Sequence, residues 1–145
     1  MARIAQGVDS EESYVTALIF CEKVITDRDT ASTSLISTFN IVEVPTFPSE
    51  MPNYFMYVAV GRGLSEESQL YIGIFAPDGQ VVLRTGFVIS EWGEALTSEF
   101  VIPLAHLPLP TAGLYVVRVF AADRALMERY IDVRTTPQFP AGQVD

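Results

Sequence analysis

Apolar residues recur along this chain in short runs rich in Val, Ile, Phe and Tyr, broken every eight to fourteen residues by turn chemistry. A period of two marks strands with one buried face, and turns at this spacing belong to a sandwich or barrel rather than to βαβ units. The pattern predicts strands at Tyr14–Thr26, Ser34–Val44, Asn53–Gly61, Gln69–Ala76, Val81–Ile89, Leu96–Leu104, Gly113–Ala121 and Leu126–Val133, with almost no helix. Eight strands make an all-β, two-sheet antiparallel β-sandwich, immunoglobulin-like or C2-like. Residues 14–134 are read as one domain, between a flexible N-terminus at 1–13 and a flexible C-terminal tail at 135–145.

The turns have local causes. In "PDG" at Pro77–Gly79, proline sets one φ and glycine permits a positive one, so the flanking runs should form a hairpin. "VPTFPSEMP", with prolines at 45, 48 and 52, cannot donate ladder hydrogen bonds and reads as an extended crossover between sheets. In "LPLPTAGLYVVRVF" a tyrosine follows a proline-rich turn at a strand start, where such a residue can tie down a sandwich corner. Alternation there puts Tyr115, Val117 and Val119 on the core face, and Leu114, Val116, Arg118 and Phe120 on the other.

The segment "ALIFCEKVITDRDTASTSLISTFNIVEVPTFP" resembles the opening of a family of bacterial proteins classed as a domain of unknown function: an Ala-Leu-x-Cys-Glu-Lys-like strand, an Asp-rich hairpin tip and a Ser-Leu-Ile-x-x-Phe return strand. "FAPDGQVV" and "PTAGLYVVRVF" are similar to that family's hairpin and closing strand, in the expected order. The resemblance implies a small β-sandwich and brings no catalytic residue or activity with it.

At 145 residues the chain is long enough to bury roughly two thirds of its unfolded surface in one core. Nine basic against eighteen acidic residues give a net charge of −9, which repels phosphate backbones and argues against nucleic acid. No apolar run is long enough to span a bilayer as a helix, and no signal-like segment precedes Tyr14. A cytoplasmic location is therefore expected.

Candidate chemistry is sparse. Cys21 lies on a strand face with Val15, Ala17 and Ile19 and has no visible base, because the single histidine, His106, sits among prolines. Packing is its expected role. One cysteine and one histidine do not make the usual tetrahedral zinc set unless acids supply the remaining ligands or subunits share the site, and no cofactor is expected. Glu22 and Glu99 are mid-strand carboxylates, but acid–base work needs a cleft, and strand glutamates ordinarily face solvent.

If strands alternate up and down, Asp27, Asp29, Glu66, Glu67, Glu91, Glu94 and Asp123 gather at one end. Asp27, Asp29 and Asp123 are then weak calcium candidates, set against interleaved Arg28, Arg62 and Arg124.

The aromatic residues carry the leading functional expectation. If Asn53–Gly61 pairs with Gln69–Ala76, the core side holds Tyr54, Met56, Val58 and Val60 against Leu70, Ile72 and Ile74. The outer side then presents Phe55, Tyr57, Tyr71 and Phe75 as one interaction face, with Trp92 as a loop anchor. The bland alternative is that another part of the chain, the proline-rich crossover or the tail with Phe139, covers these rings. The expectation is a non-enzymatic module that binds itself or a protein partner through a sheet face or loop end. The alternative is a ligand- or calcium-binding sandwich.

Overall fold

The computed structural model describes residues 14–61, 69–88, 97–121 and 124–137. Among them every regular element is a strand. These are β1 (Tyr14–Thr26), β2 (Thr33–Phe39), β3 (Ile41–Val44), β4 (Ser49–Glu50), β5 (Phe55–Gly61), β6 (Gln69–Phe75), β7 (Val81–Val88), β8 (Thr97–Pro103), β9 (Pro108–Leu109), β10 (Gly113–Ala121) and β11 (Arg124–Thr135). Four form one sheet in the order β2-β1-β5-β8 and five the other, β3-β11-β10-β6-β7, while β4 and β9 make a short clasp. All pairs are antiparallel except β3 with β11. Among the described residues no helix is long and apolar enough to cross a membrane.

The two sheets face each other through side chains of period two. Met56, Val58 and Val60 from one sheet meet Leu70, Ile72, Ile74, Val117 and Val119 from the other, all fully buried. Tyr115 anchors the corner as expected: its hydroxyl donates to the Thr111 carbonyl at 2.6 Å and accepts from the Thr111 N–H at 3.2 Å. Burial pushes its pKa up. The "PDG" turn closes β6 onto β7 with Gly79 at φ 92°, its N–H donating to Ala76, and Asp78 accepting from the Gln80 N–H.

The run expected at Ser34–Val44 is two strands. β2 lies in the four-stranded sheet and β3 in the five-stranded one, with the change at Asn40. The proline-rich segment then crosses back from β3 to β5 through the β4–β9 clasp. At the C-terminal end β11 continues to Thr135, and the Thr136 N–H donates to the Val44 carbonyl, so ordered structure extends past the start assigned to the tail.

Candidate functional site

Because β5 lies between β1 and β8 while β6 lies between β10 and β7, the two strands belong to opposite sheets. Their inward sets both lie in the core, but they meet across it instead of side by side, and the single aromatic face does not exist. Phe55 and Tyr57 point out from one sheet, and Tyr71 and Phe75 from the other. Alternation assigns a side chain to the inside or the outside of its own sheet; it says nothing about which sheet the strand joins.

The outer face of the four-stranded sheet is partly covered by its own hairpin. Thr33 donates to Glu99 at 3.2 Å, yet Thr33 pairs with Thr26, nine residues along β1 from Ala17, which shares a cross-strand row with Ala59 and Glu99. In a straight strand that separation would be about 30 Å. The β1–β2 hairpin therefore folds back across the sheet. The bend falls where the ladder omits a pair between Glu22 and Ser37, with Ser37 at φ 57°. Its half-buried side, Thr33, Leu35 and Val24, is turned toward the sheet, while Ile25 and Ile36 face solvent.

Under this flap lie two residues that point away from the core and yet are buried, Cys21 at 0% and Ala59 at 4% exposure. A bulge between Val15 and Ala17 separates Val15, which joins the core, from Ala17, Ile19 and Cys21 on the outer side, so the four do not share a face. Desolvation pushes the Cys21 thiol up in pKa, outweighing a hydrogen bond from the Lys23 backbone. His106 is exposed and bonds Glu50 at 3.0 Å. Cys21 is thus packed, as expected, but on the outer side of the sheet beneath the hairpin rather than beside Val15. Phe55 and Tyr57 are half-buried on this face, and burial, with a hydrogen bond to Glu99, pushes the Tyr57 hydroxyl up.

At the tip of the hairpin Asp27 is occupied with turn formation. Its carboxylate accepts from the N–H groups of Asp29 at 2.8 Å and Thr30 at 2.9 Å, which holds its pKa below the ordinary carboxylate range. Simple alternation of strand direction does not hold, since β2 and β5, the second and third runs in the predicted series, are both antiparallel to β1 and so run the same way. Among the described residues no three acidic, histidine or cysteine side chains gather as a cation site. Glu66, Glu67, Glu91, Glu94, Asp123, Trp92 and Phe139 lie outside the described residues. Millimolar calcium is expected to leave the melting temperature unchanged, because only a ligand that binds the native state raises it. A saturable rise, lost in Asp27→Asn with Asp29→Asn, would instead place a cation at this tip.

The outer face of the five-stranded sheet is different. Cross-strand rows place Gly86, Tyr71 and Phe120 side by side, then Arg84, Gly73 and Arg118, then Val81, Phe75 and Val116. Gly73 and Gly86 make the floor. A Cβ on Gly73 would sit 3.0 Å from ring carbons of Phe75, and one on Gly86 3.1 Å from the Tyr71 ring, so these rings lean over the glycines and close against the sheet. The result is a trough of about 690 Å³ walled by Tyr71, Phe75, Phe120, Val81 and Arg84.

One wall is locked. Arg118 stacks over Phe75 at 5.4 Å and pairs with Glu128, which also accepts from the Tyr130 hydroxyl at 2.8 Å. Arg118 and Tyr130 thereby hold the Glu128 carboxyl below its usual range. Phe120, Arg84 and the two glycines were not singled out as site residues from sequence. The available signal was glycine inside strand patterns, which marks close approach of another group.

Two facing sheets joined by crossovers, with a tyrosine corner at the start of β10, define an immunoglobulin-like β-sandwich. The chain belongs to a family of unknown function, DUF6941, whose model matches residues 16–134. Among solved structures it is similar to an immunoglobulin-like protein from Pseudomonas aeruginosa, at 18% identity and TM-score 0.49, covering 86% of this chain and 98% of that one. It is also similar to part of a β-glucuronidase from Bifidobacterium dentium, at 15% identity and TM-score 0.37, covering 83% of this chain and 17% of that one. No curated protein matches it.

Proposed function

We propose that this protein is a non-catalytic interaction module that binds a protein partner through the outer face of its five-stranded sheet. The observation that supports this reading is the trough, where three aromatic side chains surround a glycine floor on a face that no other described segment covers. Large rings carry interface energy out of proportion to their number. The matching face of the other sheet is partly covered by the hairpin, with Phe55 and Tyr57 half-buried, which favours Tyr71 and Phe75 as the anchors.

Tyr71→Ser with Phe120→Ser should weaken a purified partner's affinity by thirtyfold or more, about 2 kcal/mol, in calorimetric titration. Circular dichroism should be unaltered, because the inward set is untouched. Ile36→Ser, on the exposed side of the flap, should bind as wild type does. Equal affinity in the double variant and the wild type would remove the trough from the interface.

A further inference from the structure

The trough opens onto β7, the last strand of its sheet, whose backbone is hydrogen-bonded on one side only among the described residues. Sheet edges are ordinarily guarded by short length, charge, proline or irregularity. Three edges here are guarded. β3 has four residues, β8 carries Glu99 and ends at Pro103, and β2 belongs to the folded-back hairpin and contains the positive-φ Ser37. β7 departs from register at its start, between the pairs Ile74–Leu83 and Phe75–Val81, then pairs regularly from Leu83 to Val88 with one charge, Arg84, and no proline.

Arg84 differs from the paired cations nearby. It is exposed on the outer face, and among the described residues no carboxylate lies within ion-pair distance of it, whereas Arg118 has Glu128 and Arg134 has Asp132. Two positions along the same face, the Tyr71 ring leans over Gly86 and presents an aromatic surface there. In a net-negative chain, one cation with no carboxylate partner among the described residues, beside an apolar hollow, selects a single acidic side chain at a fixed position rather than an acidic tract.

We infer that β7 accepts an extended segment of the partner protein as an added antiparallel strand, reading large apolar, any residue, acidic. The apolar side chain lies opposite Gly86 and leans onto Tyr71, and the acidic one, two residues later, lies opposite Arg84. The spacing follows from pairing: directly opposed residues share a face, so positions two apart on β7 read positions two apart on the guest. Main-chain hydrogen bonds to the open edge supply affinity, and the trough supplies the sequence preference. This inference rests on the protein-binding reading of the same face.

The test is fluorescence anisotropy with the labelled peptide Thr-Val-Thr-Phe-Thr-Asp-Thr-Val and two relatives, one with lysine for its aspartate and one with alanine for its phenylalanine. The first peptide should bind saturably, and each replacement should weaken binding tenfold or more. Arg84→Glu, an exposed change, should reverse the preference between the aspartate and lysine peptides while the melting temperature stays within a few degrees of wild type. No saturable binding up to about 1 mM, or the same affinity in Arg84→Glu, overturns the proposal. So does light scattering that shows a dimer dispersed by Arg84→Glu, since the occupant of β7 would then be a second copy. If the peptides fail but Tyr71→Ser with Phe120→Ser still loses the purified partner, strand addition is wrong and the face reading stands.

Discussion

Cys21 in the native protein should react with a thiol-specific disulfide reagent only as fast as the chain opens, and Leu35→Asp should accelerate that reaction by two orders of magnitude or more. The thiol has no exposed surface and its pKa is raised by desolvation, so both access and thiolate fraction are low in the closed state. Leu35 is on the side of the hairpin turned toward the sheet, beside Thr33 on the same face. A carboxylate there must either remain partly desolvated without a partner or lift the flap, and a penalty of about 3 kcal/mol corresponds to a hundredfold larger open population. Ile36→Asp, on the solvent side, should leave the rate unchanged. Because opening the flap is a local event, the main unfolding transition of Leu35→Asp should fall far less than the labelling rate rises. If Leu35→Asp labels no faster than wild type, something other than the hairpin covers Cys21.

Tyr115→Ala should be among the most damaging single changes, with a loss of about 3–5 kcal/mol from a total that is usually about 5–15. The ring is fully buried between the sheets, and its hydroxyl ties the turn before β10 at two backbone atoms of Thr111. Tyr115→Phe separates these contributions. It keeps the ring and strands a part-buried N–H and carbonyl, at a cost of about 1–3 kcal/mol. Chemical denaturation of both variants should show this order, with a melting temperature depressed by on the order of 10 °C or more in Tyr115→Ala. Equal losses would mean that the hydroxyl, rather than the ring, holds the corner.

Local physics is what the sequence determined. Alternation in "YFMYVAV", "QLYIGIF" and "GLYVVRVF" named the inward residues correctly, because a strand's side-chain period is a property of its own backbone. The proline-glycine hairpin and the tyrosine corner were legible for the same reason: each is closed by residues within a few positions of one another. The packed role of Cys21 was legible from the absence of any activating neighbour.

Tertiary structure decided everything that depends on which distant strands meet. That Asn40 passes the chain to the second sheet, that β5 and β6 never pair, and that a hairpin folds over Phe55 and Tyr57 all depend on contacts dozens of residues apart. Two outward faces with the same sequence pattern thus had different fates. One became partly covered, with Cys21 and Ala59 buried, because its flanking hairpin was long enough to bend back. The other became a trough beside an open edge, because Gly73 and Gly86 sit where rings from the same and neighbouring strands can lie over them. No period or composition encodes that difference, since it is created only when the sheets assemble.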